Sequence, residues 1–137
     1  MRLNSHLQFN GQCAEAFSFY AKCLSGQIGM MLTYADTPMA SDVAPAFRTK
    51  IVHATLSIGD QILQGADTTP DRYQRPAGVS LSVEIEDPVE AERVFRALLE
   101  KATVQMPIQE TFWAQKFGML TDQFGVPWMI NCGKQQS

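Results

Sequence analysis

The hydrophobic periodicity of this chain spells strand, helix, strand, hairpin, and then spells the same order again. The first copy runs from Leu3 to Ala66 and the second from Val79 to Cys132. Leu3, Ser5, Leu7 and Phe9 alternate with Asn4, His6 and Gln8, the period-two signature of a strand with one mostly apolar and one polar face. A helix is expected from about Gln12 to Leu24, with Ala16, Phe17, Tyr20 and Leu24 on one stripe. Asn10 is placed to cap it and Ser25-Gly26 to stop it. Gln27 to Ala35 reads as a strand, and Ile51–Ile58 with Gln61–Ala66 as a hairpin about Gly59-Asp60. In the second copy Val79, Leu81, Val83 and Ile85 alternate with Ser80, Ser82 and Glu84. Asp87-Pro88-Val89-Glu90 then opens a helix with a cap, a first-turn proline and a capping box. Its stripe is Ala91, Val94, Phe95, Leu98 and Leu99, and Val104 to Gln109 follows as a strand. The closing hairpin, Phe112 to Cys132, turns at Asp122-Gln123-Phe124-Gly125, where Gly125 is free to take positive φ.

Neither copy alone could bury both faces of its sheet. The repeat therefore implies one α+β domain spanning 1–137, with two βαβββ modules at about 2–66 and 78–132. Side by side they would form a half-open, barrel-like sheet with helices outside and the polar strand faces inside. His6, Gln8, His53, Ser80, Ser82 and Glu84 fall on those faces by alternation. Asp36 to Lys50 has no period and contains Pro38, Pro45 and Phe47. It reads as a long loop, either a lid over a pocket or a plain surface excursion.

The length is one domain's worth, and 45% hydrophobic with 18% charged residues fits a globular chain. A net charge of −3 without any lysine or arginine cluster argues against nucleic acid and against an anionic membrane surface. No apolar run approaches a membrane span, and Met1 to His6 lacks a signal peptide's apolar region. Three cysteines, Cys13, Cys23 and Cys132, have no C-x-x-C spacing. They are expected to be reduced packing residues in a cytoplasmic protein. There is no G-x-G, P-loop, G-x-S-x-G or C-x-x-C motif.

Three segments carry a resemblance across nearly the whole chain. They are Leu7–Gln12 with Ala14–Tyr20, Val52–Asp60, and Thr111–Gly118 with Asp122–Trp128. On these the chain resembles the vicinal oxygen chelate (glyoxalase/bleomycin resistance/dioxygenase) superfamily, in its PhnB-like, or 3-demethylubiquinone-9 3-methyltransferase-like, branch. The chain departs from that pattern at three places. Glu100-Lys101-Ala102-Thr103 stands where the family usually has two glycines, so a non-glycine residue must take the left-handed end at about 1 kcal/mol. Ala114 stands where glycine is more frequent, and Ser5-His6 where proline and tyrosine often stand.

The resemblance implies a metal position supplied by the first, fourth, fifth and eighth strands. These map onto Asn4 or His6, then Gln64, Ser80 and Met129. Only His6 and Gln64 among them are reasonable donors, and a borderline cation wants about three strong ones. No cofactor is therefore expected, with a divalent metal on His6 and Gln64 as the weaker alternative. His6, His53 and Glu84 are the candidates for catalysis, converging on a metal or acting as acid and base without one. Methyl transfer of the doubly wound, S-adenosylmethionine-dependent type would need a glycine-rich turn that is missing here.

The expected ligand site comprises His6, Gln8, His53, Gln64, Ser80, Trp113, Trp128 and Met129, with Phe47 as a further apolar wall. Three functions follow. One is a small-molecule-binding protein, catalytic or not, without the usual metal. Another is a non-catalytic sequestering protein of the bleomycin-resistance type. The third is a metal-dependent lyase or dioxygenase with a rearranged site. The resemblance also implies a homodimer, which would cover exposed sheet edges.

Overall fold

Each expected repeat folds as one βαβββ module in the computed structural model, which describes residues 1–134. The first comprises β1 (Ser5–Phe9), α1 (Cys13–Leu24), β2 (Gln27–Thr33), β3 (Ile51–Ile58) and β4 (Gln61–Asp67). The second comprises β5 (Leu81–Glu84), α2 (Pro88–Leu98), β6 (Thr103–Gln109), β7 (Ala114–Thr121) and β8 (Pro127–Gly133). The fold is α+β, and the chain divides into two compact units, Met1–Gln74 and Arg75–Ser137, each holding one module. The sheet orders match: β1-β4-β3-β2 in the first and β5-β8-β7-β6 in the second. In each, the first strand runs parallel to the last and the remaining pairs are antiparallel. Among the described residues no helix is long and apolar enough to cross a membrane.

Helices cover the apolar sheet faces. In the first unit Phe9, Phe17 and Tyr20 form a buried aromatic group, with Phe9 and Phe17 edge to face at 6.0 Å. Phe17 lies so close to β4 that a Cβ on Gly65 would sit 2.7 Å from its ring. In the second unit Phe95 rests on β7, where a Cβ on Gly118 would sit 2.6 Å from that ring. The glycines thus provide the depth that lets large rings enter the sheet surface.

The two helices begin differently. Asp87 caps α2 as expected, accepting from Val89 N–H at 3.0 Å. Glu90 does not complete a capping box; its carboxylate accepts from the Arg93 guanidinium one turn on. Asn10 is not the cap of α1. Gln12 occupies that position, with no side-chain cap bond. The orphan Cys13 N–H instead finds Asp67 on β4, at 2.9 Å. The other oxygen of Asp67 accepts from Ile51 N–H at 2.9 Å. One buried carboxylate therefore ties the ends of β4 and α1 to the start of β3.

The helix stops follow backbone chemistry. Ser25, rather than Gly26, takes the left-handed conformation after α1 (φ 54°). Gly26 is needed for close approach instead, since a Cβ there would meet the Ser57 carbonyl at 2.8 Å. After α2 the left-handed residue is Lys101 (φ 56°), the non-glycine end anticipated from the missing glycines. Gly125 takes φ 87° in the last hairpin.

The stretch without period is a folded connection. It forms three short 3-10 turns at Tyr34–Asp36, Pro38–Asp42 and Pro45–Phe47. Its ends are held together by Tyr34 N–H to the Lys50 carbonyl (3.0 Å) and Ala35 N–H to the Arg48 carbonyl (2.9 Å). The Phe47 ring packs on Tyr34 with centroids 5.2 Å apart. This is the form of an Ω-loop, packed on its own side chains.

Candidate functional site

The pleat sends every second side chain of each sheet away from its helix. On the first unit's sheet, strand register lines up His6 of β1, Gln64 of β4 and Thr55 of β3 in one row. His53 lies two residues from Thr55 on the same face, opposite Leu32 of β2. Gln8 shares the face one step along β1, beside Ala66. Thr55 is committed to the fold. Its Oγ1 accepts from Met30 N–H at 2.8 Å across a bulge in β2, so Gly29 must lack a side chain there. No hydrogen bond engages the side chains of His6, His53 or Gln64 among the described residues.

Burial pushes the His6 pKa down, and the nearby His53 pushes it further in the same direction. The His6 imidazole is therefore neutral at pH 7, with one nitrogen able to donate and the other to accept. The Cys13 thiol is pushed up to about 12 by burial and by Asp67. All three cysteines are free and buried. Thiolate chemistry has no support here.

The second unit presents two rows on the corresponding face. Ser82, Met129 and Met119 form one, and Glu84, Asn131 and Phe117 the other. Glu84 Oε2 accepts from Asn131 Nδ2 at 2.7 Å, and Ser82 Oγ lies 3.5 Å from Glu84 Oε1. Trp113 joins this face through an edge-to-face contact with Phe117 at 5.2 Å.

Two expected site residues are displaced. Ser80 precedes β5 and is exposed; the residue opposite Met129 is Ser82. Trp128 points the other way, in register with Leu81 and Leu120. It is buried, and its indole N–H donates to Asp122 Oδ2 at 2.8 Å. Asp122 also accepts from Phe124 and Val126 N–H groups, so Trp128 belongs to the frame of the last turn. Asn131 and Phe117 were missed by the sequence reading. Carrying the alternation from Met129 to Asn131, and across the hairpin to Phe117, would have found both.

The donor set does not fit a catalytic metal. His6 and Gln64 pair on one sheet, whereas the eighth-strand position is a thioether whose neighbour is a hydroxyl. That combination holds one strong donor, the His6 nitrogen, where such a centre needs about three. Among the described residues no three His, Cys, Asp or Glu side chains gather in a way that could hold a metal ion.

The model of the 3-demethylubiquinone-9 3-methyltransferase family matches residues 1–131. Protein YjdN of Escherichia coli K12 is 34% identical over 144 residues, covering 99% of this chain and 98% of that protein. The crystal structure of protein PA1353 from Pseudomonas aeruginosa is similar with a TM-score of 0.89 and 42% identity, covering 98% of this chain and 99% of that one. A putative 3-demethylubiquinone-9 3-methyltransferase, the PhnB protein from Bacillus cereus, shares the fold with a TM-score of 0.82 at 24% identity, covering 97% of this chain and all of that one.

Proposed function

The chain belongs to the 3-demethylubiquinone-9 3-methyltransferase family, the PhnB-like branch of the glyoxalase superfamily, and from that membership we propose that it is a small-molecule-binding protein working without the superfamily's usual metal. The observation that carries this reading is the first unit's polar face. Three side chains there, His6, His53 and Gln64, have uncommitted hydrogen-bonding capacity and sit on adjacent strands of a rigid sheet. A few polar groups with fixed spacing are what orients a ligand. His6, kept neutral by burial and by His53, supplies an acceptor nitrogen at physiological pH. The methyl transfer in the family's description gains no support from this chain, which lacks the glycine-rich turn of doubly wound methyltransferases.

Thermal unfolding of the protein and of His6→Ala, each with and without Mg, Mn, Fe(II), Co, Ni and Zn, tests the proposal. A bound metal at a hundred times its dissociation constant would add about 2.7 kcal/mol, a shift of several degrees at this size. No shift with any metal is the expected result. A shift lost in His6→Ala would overturn the metal-free reading.

A further inference from the structure

We infer that the face of the second unit's sheet turned away from α2 is a binding site for an organic cation, a protonated amine carried on an aromatic or other flat apolar body. The inference rests on the small-molecule reading above and names the chemistry that this face would take. Glu84, Asn131 and Phe117 form one row across β5, β8 and β7. Neighbouring strands lie about 4.8 Å apart, so the carboxylate and the phenyl ring start roughly two strand spacings from each other. Trp113, just before β7, meets the Phe117 ring edge to face at 5.2 Å, and Phe112 meets Trp113 edge to face at 4.8 Å. Phe117 itself is buried, whereas Phe112 is 88% exposed and Trp113 45%, so the open aromatic surface is that of Phe112 and Trp113.

The polar end of the row has more acceptors than donors. Glu84 receives Asn131 Nδ2 and lies beside the Ser82 hydroxyl. Among the described residues no lysine, arginine or histidine pairs with it. Lys116 and Lys134 reach Glu92 and Glu110 instead. Asn131 Oδ1 is buried without any hydrogen-bond partner, an arrangement that costs free energy unless a donor arrives. The complement of two carboxylate oxygens, an orphan amide oxygen and an aromatic surface is a group with N–H donors, positive charge and an apolar body. The ammonium would be held by Glu84 through a charge-assisted hydrogen bond, and the aromatic side chains would give apolar contact to the flat body it is carried on.

Tryptophan fluorescence of the full chain, titrated with 2-phenylethylammonium and with neutral 2-phenylethanol, tests this. The two probes share a skeleton and differ in the donor and its charge. Saturable binding of the ammonium is expected, about tenfold tighter than the alcohol. Glu84→Gln should remove that preference while leaving the alcohol unchanged, because the glutamine carbonyl can still accept from Asn131. Trp113→Leu should abolish the fluorescence response to both probes, because Trp128, the other tryptophan, lies on the opposite face. If the Glu84 variant folds poorly, added salt gives a second readout, weakening only the ammonium. Equal affinity for the two probes would overturn the inference, as would ammonium binding indifferent to Glu84→Gln and to salt, or no saturation in the millimolar range. The metal test above reads His6 in the other unit, so the failure of either reading is recognised separately.

Discussion

The two modules share one topology and meet the same local demand by opposite means. Both helices start with backbone N–H groups that have no partner inside the helix. In the second module Asp87, directly before α2, supplies the acceptor. In the first, Gln12 before α1 makes no side-chain cap bond, and the acceptor comes from Asp67, at the far end of β4. The connections between the second and third strands differ as well. Residues 34–50 fold into three 3-10 turns, whereas residues 110–113 pass directly from β6 to β7 and carry the exposed Phe112 and Trp113. A repeated fold thus needs only the repeated periodicity. The devices that lock each copy can diverge, and with them the residues each polar face has to offer.

The capping contrast can be broken most sharply at Asp67. Asp67→Ala leaves the buried Cys13 and Ile51 N–H groups without acceptors and should destabilise the protein by about 3 kcal/mol in urea unfolding. Asp87→Ala, at an exposed helix start, should cost about 1 kcal/mol. Equal losses would remove the distinction between local and borrowed caps.

Between these two in size comes the depth of the helix-bearing faces. Gly118→Ala forces a Cβ against Phe95 and against the backbone of Ile108, while Gly65→Ala meets chiefly the Phe17 ring. Each should cost roughly 1–3 kcal/mol, with Gly118→Ala the worse because backbone yields less than a ring. The same urea series measures it, and the reverse order would mean that the sheets, rather than the rings, give way.

Thiol chemistry should show no difference between the modules. With Cys13 pushed up to about 12 and all three cysteines buried, an aromatic disulfide reagent should find no fast-reacting thiol in the native protein. All three should react in denaturant. Rapid native labelling of Cys13 would contradict its burial.

The smallest expected effect is that of pH on His6. Its folded pKa lies below the ordinary value near 6.5, so the unfolded chain takes up the proton first as pH falls. The His6 contribution to stability is complete above about pH 6.5 and is lost as pH drops toward the folded value. His6→Gln should flatten that part of the melting-temperature profile.

What was legible in the sequence was local. Element order, the Asp87 cap and the Gly125 turn each follow from neighbouring residues. The Asp67 hub joins residues that only the tertiary fold brings together, and no local pattern announces it. Trp128 was misplaced for a different reason. Placing Trp128 and Met129 in one site ignored the alternation that sets Trp128 and Ile130 against Met129 and Asn131. The offset between Ser80 and Ser82 reflects register, which periodicity alone leaves open.

The central claim, a polar face that offers neutral imidazole rather than a metal centre, is tested most directly by the imidazole nitrogens themselves. Long-range proton–nitrogen NMR spectra of His6 and His53 would be followed across about pH 5 to 8, with and without one equivalent of Zn(II). The account predicts that His6 titrates below the ordinary histidine value near 6.5, and that zinc leaves both sets of nitrogen shifts unchanged. A zinc-induced shift of a His6 nitrogen at one equivalent, with its titration abolished, would show a metal ligand and contradict it.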